Sequence, residues 1–206
     1  MIFETIIITV NSQNEPHIAP FGVRYEQDKV IISPYKPSIT LDNIVATKMA
    51  TLNITDDVRI FAGALTGNIN NDALQPQGLS PQNIPAEAGY SYLKPNIHAG
   101  YRLAHALSHI DLALIEVKDG AQRPQLIMQK VAEFNHKPFT GFNRAQAAVI
   151  ELCILVSRLH MLPKDKVMTE MQYLQIAIDK TAGERELEAW GWLAKKIEQF
   201  YAINKT

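Results

Sequence analysis

The sequence predicts an α+β fold that is mainly β, with an antiparallel β-barrel in residues 1–140 and a three-helix region in residues 141–206. In the first part, short runs rich in β-branched residues alternate with Pro, Gly, Asn and Asp, and no strand–helix–strand repeat indicates a parallel sheet. From residue 143 onward, apolar residues recur at intervals of three and four, which is the period of a helix. These patterns predict two domains.

The first strand has the clearest signal, because residues 5–10 read TIIITV and are almost all β-branched. The polar residues 11–16 predict a turn after it. Two more strands are predicted at residues 18–25 and 29–33, joined by a hairpin turn at residues 26–28.

The centre of the chain mixes short helices and strands. Ile39, Ile44 and Val45 share one face of a helix that begins near Pro37, and Asp56 is the predicted N-cap of a second helix. The predicted elements are, in order, a helix over residues 37–47, a strand over 50–55, a helix over 57–65, and strands over 106–117 and 125–134. Residues 67–95, rich in Pro, Gly and Asn, are predicted to be irregular.

The last part of the chain predicts three helices, over residues 143–159, 166–180 and 184–203. Each carries an apolar stripe at helical spacing. Asn143, with Gln146 three residues later, resembles a capping box at the first of these helices.

The composition excludes several classes of protein. There are 20 Lys and Arg against 21 Asp and Glu, so no basic excess indicates a dedicated DNA-binding protein. The single cysteine, Cys153, excludes an intrachain disulfide and a Cys-rich metal cluster. The first ten residues lack the basic start of a signal peptide, and no apolar run has the length of a membrane helix. We therefore expect a cytoplasmic protein.

The most informative segment for function is residues 33–55, which is predicted to run strand, turn, helix, strand. Lys36, Ser38, Thr40 and Asn43 crowd the start of the helix. Free backbone N–H groups and the positive end of the helix dipole make such a start a seat for phosphate, and Lys36 would add positive charge. The alternative is that Ser38 or Thr40 is only a helix cap.

Several segments, in order along the chain, resemble a family of uncharacterised flavoproteins of methane-forming archaea and of bacteria that oxidise one-carbon compounds. This family resembles the flavin reductases, with which it shares the FMN-binding split β-barrel. The matching segments are Glu4-Thr5, HIAPFGV at residues 17–23, SITLDNI at 38–44, LNITDD at 52–57, FNRAQAAVIELCILVSRL at 142–159 and KTAGERELEA at 180–189. Residues 67–95 carry no matching signature.

The resemblance implies a homodimer with FMN bound near the subunit interface. It implies that Ser38, Thr40 and Asn43 lie near the phosphate and that Asn53 lies close to the flavin. Gly22 would permit close approach of the backbone to the ring. Structural roles remain open, because Pro20 and Gly22 are also suited to a bend and Asn53 to a strand end. The segment implied to line the isoalloxazine ring consists of Ala19, Pro20, Phe21 and Gly22.

Four further residues are weighed for a functional role. Arg144 stands at the start of the first C-terminal helix. One interpretation is that it contacts an anionic cofactor or substrate, and the other is that it forms an ion pair with a nearby carboxylate. His17 is a proton donor near a reduced flavin, or else a polar turn residue. His105 and His109 have the spacing of a metal-binding pair, but the HExxH context is missing and no metal site is predicted. No residue is assigned a catalytic role.

The function predicted from the resemblance is that of an FMN-dependent oxidoreductase, similar to a flavin reductase, acting on an unidentified small molecule. The association with one-carbon organisms suggests a link to tetrahydromethanopterin, although no residue of the chain indicates it. The alternatives are a non-catalytic flavin-binding or protein-interaction module, and a fold relative that has lost flavin and forms a structural dimer. No nucleic acid or membrane partner is predicted.

Overall fold

The structure, a computed structural model, describes residues 1–69, 74–76 and 100–203. Within these residues the chain forms eight strands and five helices. The strands are β1 Phe3–Val10, β2 Pro16–Glu26, β3 Lys29–Ile32, β4 Met49–Ile54, β5 Leu74–Pro76, β6 Tyr101–Leu103, β7 Ser108–Lys118 and β8 Gln125–Asn135. The helices are α1 Ile39–Thr47, α2 Arg59–Thr66, α3 Arg144–Ser157, α4 Lys164–Thr181 and α5 Glu184–Ile203. Most of the predicted irregular stretch over residues 67–95 lies outside the described residues.

Six strands form a closed antiparallel barrel in the order β1-β2-β3-β8-β7-β4, which confirms the predicted antiparallel barrel. The barrel closes because β4 pairs with β1, with Ile7 opposite Leu52. Two ends can be named from the strand directions. The α1 end is where β1 and β3 finish, at Val10 and Ile32, and the far end is where β2 and β4 finish, at Glu26 and Ile54.

The alternation of side chains along each strand separates an apolar inner face from an outer face. In β1, Ile7 points inward with the core, whereas Ile6 and Ile8 point outward and are nevertheless fully buried. Leu41 and Ile44 of α1 close the core at the α1 end, because they belong to the same buried cluster. The other core residues are Val23, Val30, Ile32, Ala50, Leu52, Ile110, Leu112, Leu126 and Met128.

The helices after the barrel form a second compact unit. Residues 1–55 and 72–138 make the barrel unit, and residues 56–71 and 139–206 make the helical unit, which therefore also contains α2. The division of the chain between residues 140 and 141 stays a prediction about independently folding domains. In the helical unit Cys153 is buried, and burial raises the pKa of its thiol to about 12, so it has the character of an inert apolar side chain.

Four helix starts differ from the sequence-based prediction, with α3 beginning one residue later and α4 two residues earlier than predicted. Helix α1 begins at Ile39 and not at Pro37, because Ser38 is the N-cap and has an extended backbone. Helix α2 begins at Arg59 with Val58 as its N-cap, so the N-cap predicted at Asp56 is wrong; the Oδ1 of Asp57 accepts a hydrogen bond from the Arg59 N–H at 3.1 Å. None of the helices in the described ranges has the length and apolarity to cross a bilayer.

Candidate functional site

The start of α1 presents two backbone donors that the fold itself does not use. The hydroxyl oxygen of Ser38 accepts a hydrogen bond from Leu41 N at 3.2 Å, and its carbonyl oxygen accepts one from Asp42 N at 3.0 Å. Ile39 and Thr40 occupy the first two helical positions, where an N–H has no carbonyl partner within the helix. Among the residues that the structure describes, no acceptor receives a hydrogen bond from either of these two N–H groups.

A cationic side chain that the sequence-based prediction missed lies against the segment that leads into α1. Arg123, in the connection between β7 and β8, donates from Nε to the Ser33 carbonyl at 2.9 Å, and its guanidinium lies 4.6 Å from the centre of the Tyr35 ring. The adjacent Gln122 accepts a hydrogen bond from the Lys36 N–H at 2.9 Å. Lys36 is exposed. Two cations therefore lie within or against the segment that enters α1.

Thr40 and Asn43 lie on the buried face of α1, at 1% and 7% exposure. The Asn43 amide donates to the hydroxyl of Thr9 at 3.0 Å, and Thr9 pairs with His17 across the β1–β2 ladder. Asn43 of α1 and His17 of β2 are therefore brought together at the α1 end through Thr9. Burial lowers the pKa of His17 below its ordinary value of 6.5, so the imidazole is predominantly neutral at pH 7.

The segment predicted to line a flavin ring divides between the two faces of β2. Ala19 pairs with Ile7 and shares the inner face with Phe21, which packs against the core. Pro20 pairs with Ile6 on the outer face, and Gly22 lies on that face as well. Of the four residues in this segment, only Pro20 and Gly22 can therefore face a ligand outside the barrel.

The space that a side chain at Gly22 would fill is occupied by Ile2 and Glu4, near the beginning of the chain. A Cβ at this position would lie 2.7 Å from Cγ2 of Ile2 and 3.2 Å from Oε1 of Glu4. Gly22 therefore permits close packing of the start of the chain against β2, which is a structural role different from the bend considered for it, and its predicted place beside a flavin ring stays a prediction.

Asn53 is completely buried and makes several contacts with the backbone. Its Oδ1 accepts a hydrogen bond from Leu103 N at 2.9 Å, and its Nδ2 donates to the Thr51 carbonyl at 3.2 Å and the Ile6 carbonyl at 3.5 Å. These contacts attach β6 to the barrel. They give Asn53 a structural role, although not the strand end considered for it, because it lies inside β4 and pairs with Ile6 and His109; its predicted proximity to a flavin stays a prediction.

Arg144 lies in the other compact unit. It is the first residue of α3, and the side chain of Asn143 caps this helix by accepting hydrogen bonds from Ala145 N and Gln146 N. Arg144 is exposed and forms no ion pair with a described residue. Its predicted contact with an anionic group stays a prediction.

The arrangement at the start of α1 has the chemistry of an anion site. Two N–H groups, the proton of the Ser38 hydroxyl and the ammonium of Lys36 are all donors, and an anion gains from the positive end of the helix dipole. Within the barrel unit the predicted residues do not form a single cluster, because Asn53 lies toward the far end of the barrel. Among the residues that the structure describes, no group of three or more His, Cys, Asp and Glu could hold a metal ion.

Comparison with solved structures identifies a similar protein over nearly the whole chain. A crystal structure of an FMN-bound DUF447 protein from Methanosarcina mazei is similar with a TM-score of 0.75 and 16% identity, over 95% of this chain and 94% of that chain. At this identity the likeness shows a common fold. No curated protein sequence matches the chain.

Other solved structures are similar over about two thirds of the chain. Nitrilotriacetate monooxygenase component B from Mycobacterium thermoresistibile has a TM-score of 0.46 and 18% identity, over 66% of this chain and 70% of that chain. The NADH:FAD oxidoreductase SgcE6 of Streptomyces globisporus C-1027 has a TM-score of 0.45 and 12% identity, over 65% of this chain and 70% of that chain.

Family sequence models match both parts of the chain. The model described as the N-terminal domain of a protein of unknown function, DUF447, matches residues 3–136. A second model of the same family matches residues 143–195. Since the first match alone covers more than half of the sequence, the chain belongs to the DUF447 family.

Proposed function

We propose that this protein binds FMN and seats its phosphate at the start of α1. The observation that carries the proposal is the pair of unused N–H donors on Ile39 and Thr40, beside the hydroxyl of Ser38. The relative from Methanosarcina mazei, which has the same fold over nearly its whole length and belongs to the same family, contains FMN. That relative supports FMN as the ligand. The N–H groups of Ile39 and Thr40, with the Ser38 hydroxyl, support the start of α1 as the place where its phosphate binds.

The donors fit a phosphate group in number and in charge. Helix N-termini bind phosphate because their free N–H groups and the helix dipole favour negative charge. Lys36 and Arg123 supply positive charge near this start, and the guanidinium is already oriented by the Ser33 carbonyl and the Tyr35 ring. We include Arg123 in the proposed phosphate site, although nothing in the sequence pattern indicated it.

The proposed reaction class is an oxidoreduction, with the chain providing binding and orientation. A bound flavin would supply the hydride chemistry, whereas the protein fixes the position of the ring and its access to water. His17, mainly neutral at pH 7 and next to the α1 end, is proposed as a proton-donating or proton-accepting group near that site. The proposed assembly is a cytoplasmic homodimer, and the link to tetrahydromethanopterin stays an extension of the resemblance.

The phosphate seat can be tested by comparing FMN with riboflavin, which has the same ring and no phosphate. We expect Ser38→Asp to keep the helix cap, because Asp is as good an N-cap as Ser, while its negative charge opposes the phosphate. FMN affinity is expected to fall by about tenfold or more, which corresponds to the loss of one charge-assisted hydrogen bond, and riboflavin affinity is expected to stay the same. Binding is measured by quenching of flavin fluorescence.

The control for this experiment is Asp28→Asn, a change of charge in the β2–β3 hairpin at the far end of the barrel. It is expected to leave both affinities unchanged. Equal affinities for FMN and riboflavin in the wild type would show that the phosphate is not bound here. Absence of FMN binding in the wild type would contradict the cofactor proposal itself.

Turnover is tested separately from binding. We expect NADH or NADPH to bleach the absorbance of the FMN-loaded protein, as in a flavin reductase. A loaded protein that neither nucleotide reduces would favour the alternative of a non-catalytic flavin-binding module.

A further inference from the structure

The far end of the barrel contains a cavity that is separate from the proposed phosphate seat. Its volume is about 410 Å³, which lies within the range of small-molecule sites. All of its lining residues belong to the barrel unit, and none is a predicted cofactor residue. They are Phe3, Glu4, Thr5, Tyr25, Ile54, Ile110, Lys130 and Glu133.

A β-bulge in β8 turns two opposite charges toward this cavity. Asp111 and Leu112 are consecutive in β7, yet their partners in β8 are two residues apart, so Val131 is an extra residue. In a regular strand Lys130 and Glu133 would point to opposite faces, because they are three residues apart. The extra residue brings both to the cavity side. Bulges are common beside functional sites, where they redirect a side chain.

The two charged groups do not neutralise each other. Neither Lys130 nor Glu133 forms an ion pair with a described residue. The Lys130 ammonium lies 4.9 Å from the centre of the Tyr25 ring. Burial, and then the charge of Glu133, raise the pKa of Tyr25 above its ordinary value. Its hydroxyl is a neutral donor of a hydrogen bond at pH 7.

Apart from Glu4 and Thr5, the rest of the wall is apolar and aromatic. The rings of Phe3 and Tyr25 meet edge to face, with 5.4 Å between their centres. Ile54 and Ile110 line the same cavity. Such a wall favours a ligand with an aromatic or large aliphatic part.

We propose that this cavity binds a small zwitterion with an aromatic side chain, that is, a free aromatic amino acid. Its carboxylate is placed by Lys130 and its ammonium by Glu133. A ligand with only a negative charge would face the carboxylate of Glu133, and a ligand with only a positive charge would face Lys130. A ligand with both charges satisfies each group.

The experiment measures, by calorimetry, the binding of three matched ligands to the full chain. L-phenylalanine carries both charges, 3-phenylpropionate lacks the ammonium, and phenethylamine lacks the carboxylate. We expect L-phenylalanine to bind and each of the others to bind about tenfold more weakly, because each leaves one charged hydrogen bond unmade. The affinity for L-phenylalanine is expected to be the same with and without FMN, since the two sites lie at opposite ends of the barrel.

Two variants assign the charges, and a third serves as control. Lys130→Met is expected to abolish the preference for L-phenylalanine over phenethylamine, which lacks the carboxylate. Glu133→Gln is expected to abolish the preference for L-phenylalanine over 3-phenylpropionate, which lacks the ammonium. Lys118→Met, at the α1 end of β7, is expected to change neither. Melting temperatures within about 2 °C of the wild type verify that the variants are folded.

Three results would overturn the proposal. The first is that L-phenylalanine shows no saturable binding at any concentration up to about 10 mM. Another is equal affinity of the wild type for all three ligands. The third is competition by FMN, which would mean that the cavity is part of the cofactor site.

Discussion

Polar side chains buried in the barrel act mainly on the backbone around them. Asn53 is the clearest example, because one amide group receives the Leu103 N–H and donates to the Thr51 carbonyl. Asn43 differs in its partner, because its amide donates to the side-chain hydroxyl of Thr9 and so links α1 to β1. A buried amide that loses such a partner leaves a donor or acceptor without a hydrogen bond, which costs more than the bond itself contributes. At these positions fold stability and any contact with a cofactor must be measured separately.

We expect Asn53→Ala to lower the free energy of unfolding of the flavin-free protein by about 1–3 kcal/mol, since the Leu103 N–H would remain buried without an acceptor. Urea unfolding followed by circular dichroism measures the change. The matched control is Asn68→Ala, an exposed amide whose bond to Thr66 is expected to contribute less than about 0.5 kcal/mol. An Asn53 variant as stable as this control would show that the side chain has no structural role.

At the scale of single elements, charged groups hold α2 against α5 in the helical unit. Asp57 contacts the Arg59 guanidinium at 2.6 Å, and Arg59 also reaches Glu188 of α5 at 3.2 Å. Arg185 of α5 lies 4.0 Å from Asp57. Burial acts to raise the pKa of Asp57, but the hydrogen bonds and charge of Arg59 outweigh it and keep the pKa below its ordinary value. These ion pairs help to place a helix from the middle of the chain beside the C-terminal helices.

We expect Asp57→Asn to lower the free energy of unfolding by about 1–2 kcal/mol at pH 7, a range that allows for the partial exposure of Arg59. A carboxyl with a lowered pKa stabilises the fold fully above its ordinary pKa of about 3.9, and this contribution is lost as the pH falls through the folded value. The difference from the wild type should therefore shrink below about pH 4. Urea unfolding at several pH values measures it.

The control for Asp57 is Glu170→Gln, which removes an exposed ion pair with Lys166 one turn away in α4. Exposed pairs of this kind contribute about 0.3–0.5 kcal/mol. A loss in Asp57→Asn that is no larger than in this control, or that does not change with pH, would contradict the role given to the buried carboxylate.

At the scale of the whole molecule, the barrel closes through all six strands, although β2 pairs with β3 only over Arg24, Tyr25 and Glu26. The strand pairing does not identify a dimer interface, and the predicted homodimer rests on the family resemblance. We expect light scattering after size-exclusion chromatography to give twice the mass of one chain. A mass of one chain at every concentration tested, with and without FMN, would contradict the dimer.

The sequence by itself determined the identity of most elements and the family of the chain. The β-branched run TIIITV becomes β1, and Asn143 caps α3, because strand preference and capping depend on residues close together along the chain. The α1 segment with Ser38 was predicted for the same reason. The family resemblance is confirmed over both parts of the chain.

Only the tertiary structure decided which distant residues meet. It placed Arg123 beside Tyr35, 88 residues earlier in the chain, and it grouped α2 with the C-terminal helices. It also decided, through a single extra residue in β8, that Lys130 and Glu133 share one cavity. Strand register and barrel closure are set by the packing of the whole core, and a local pattern of residues does not contain that information.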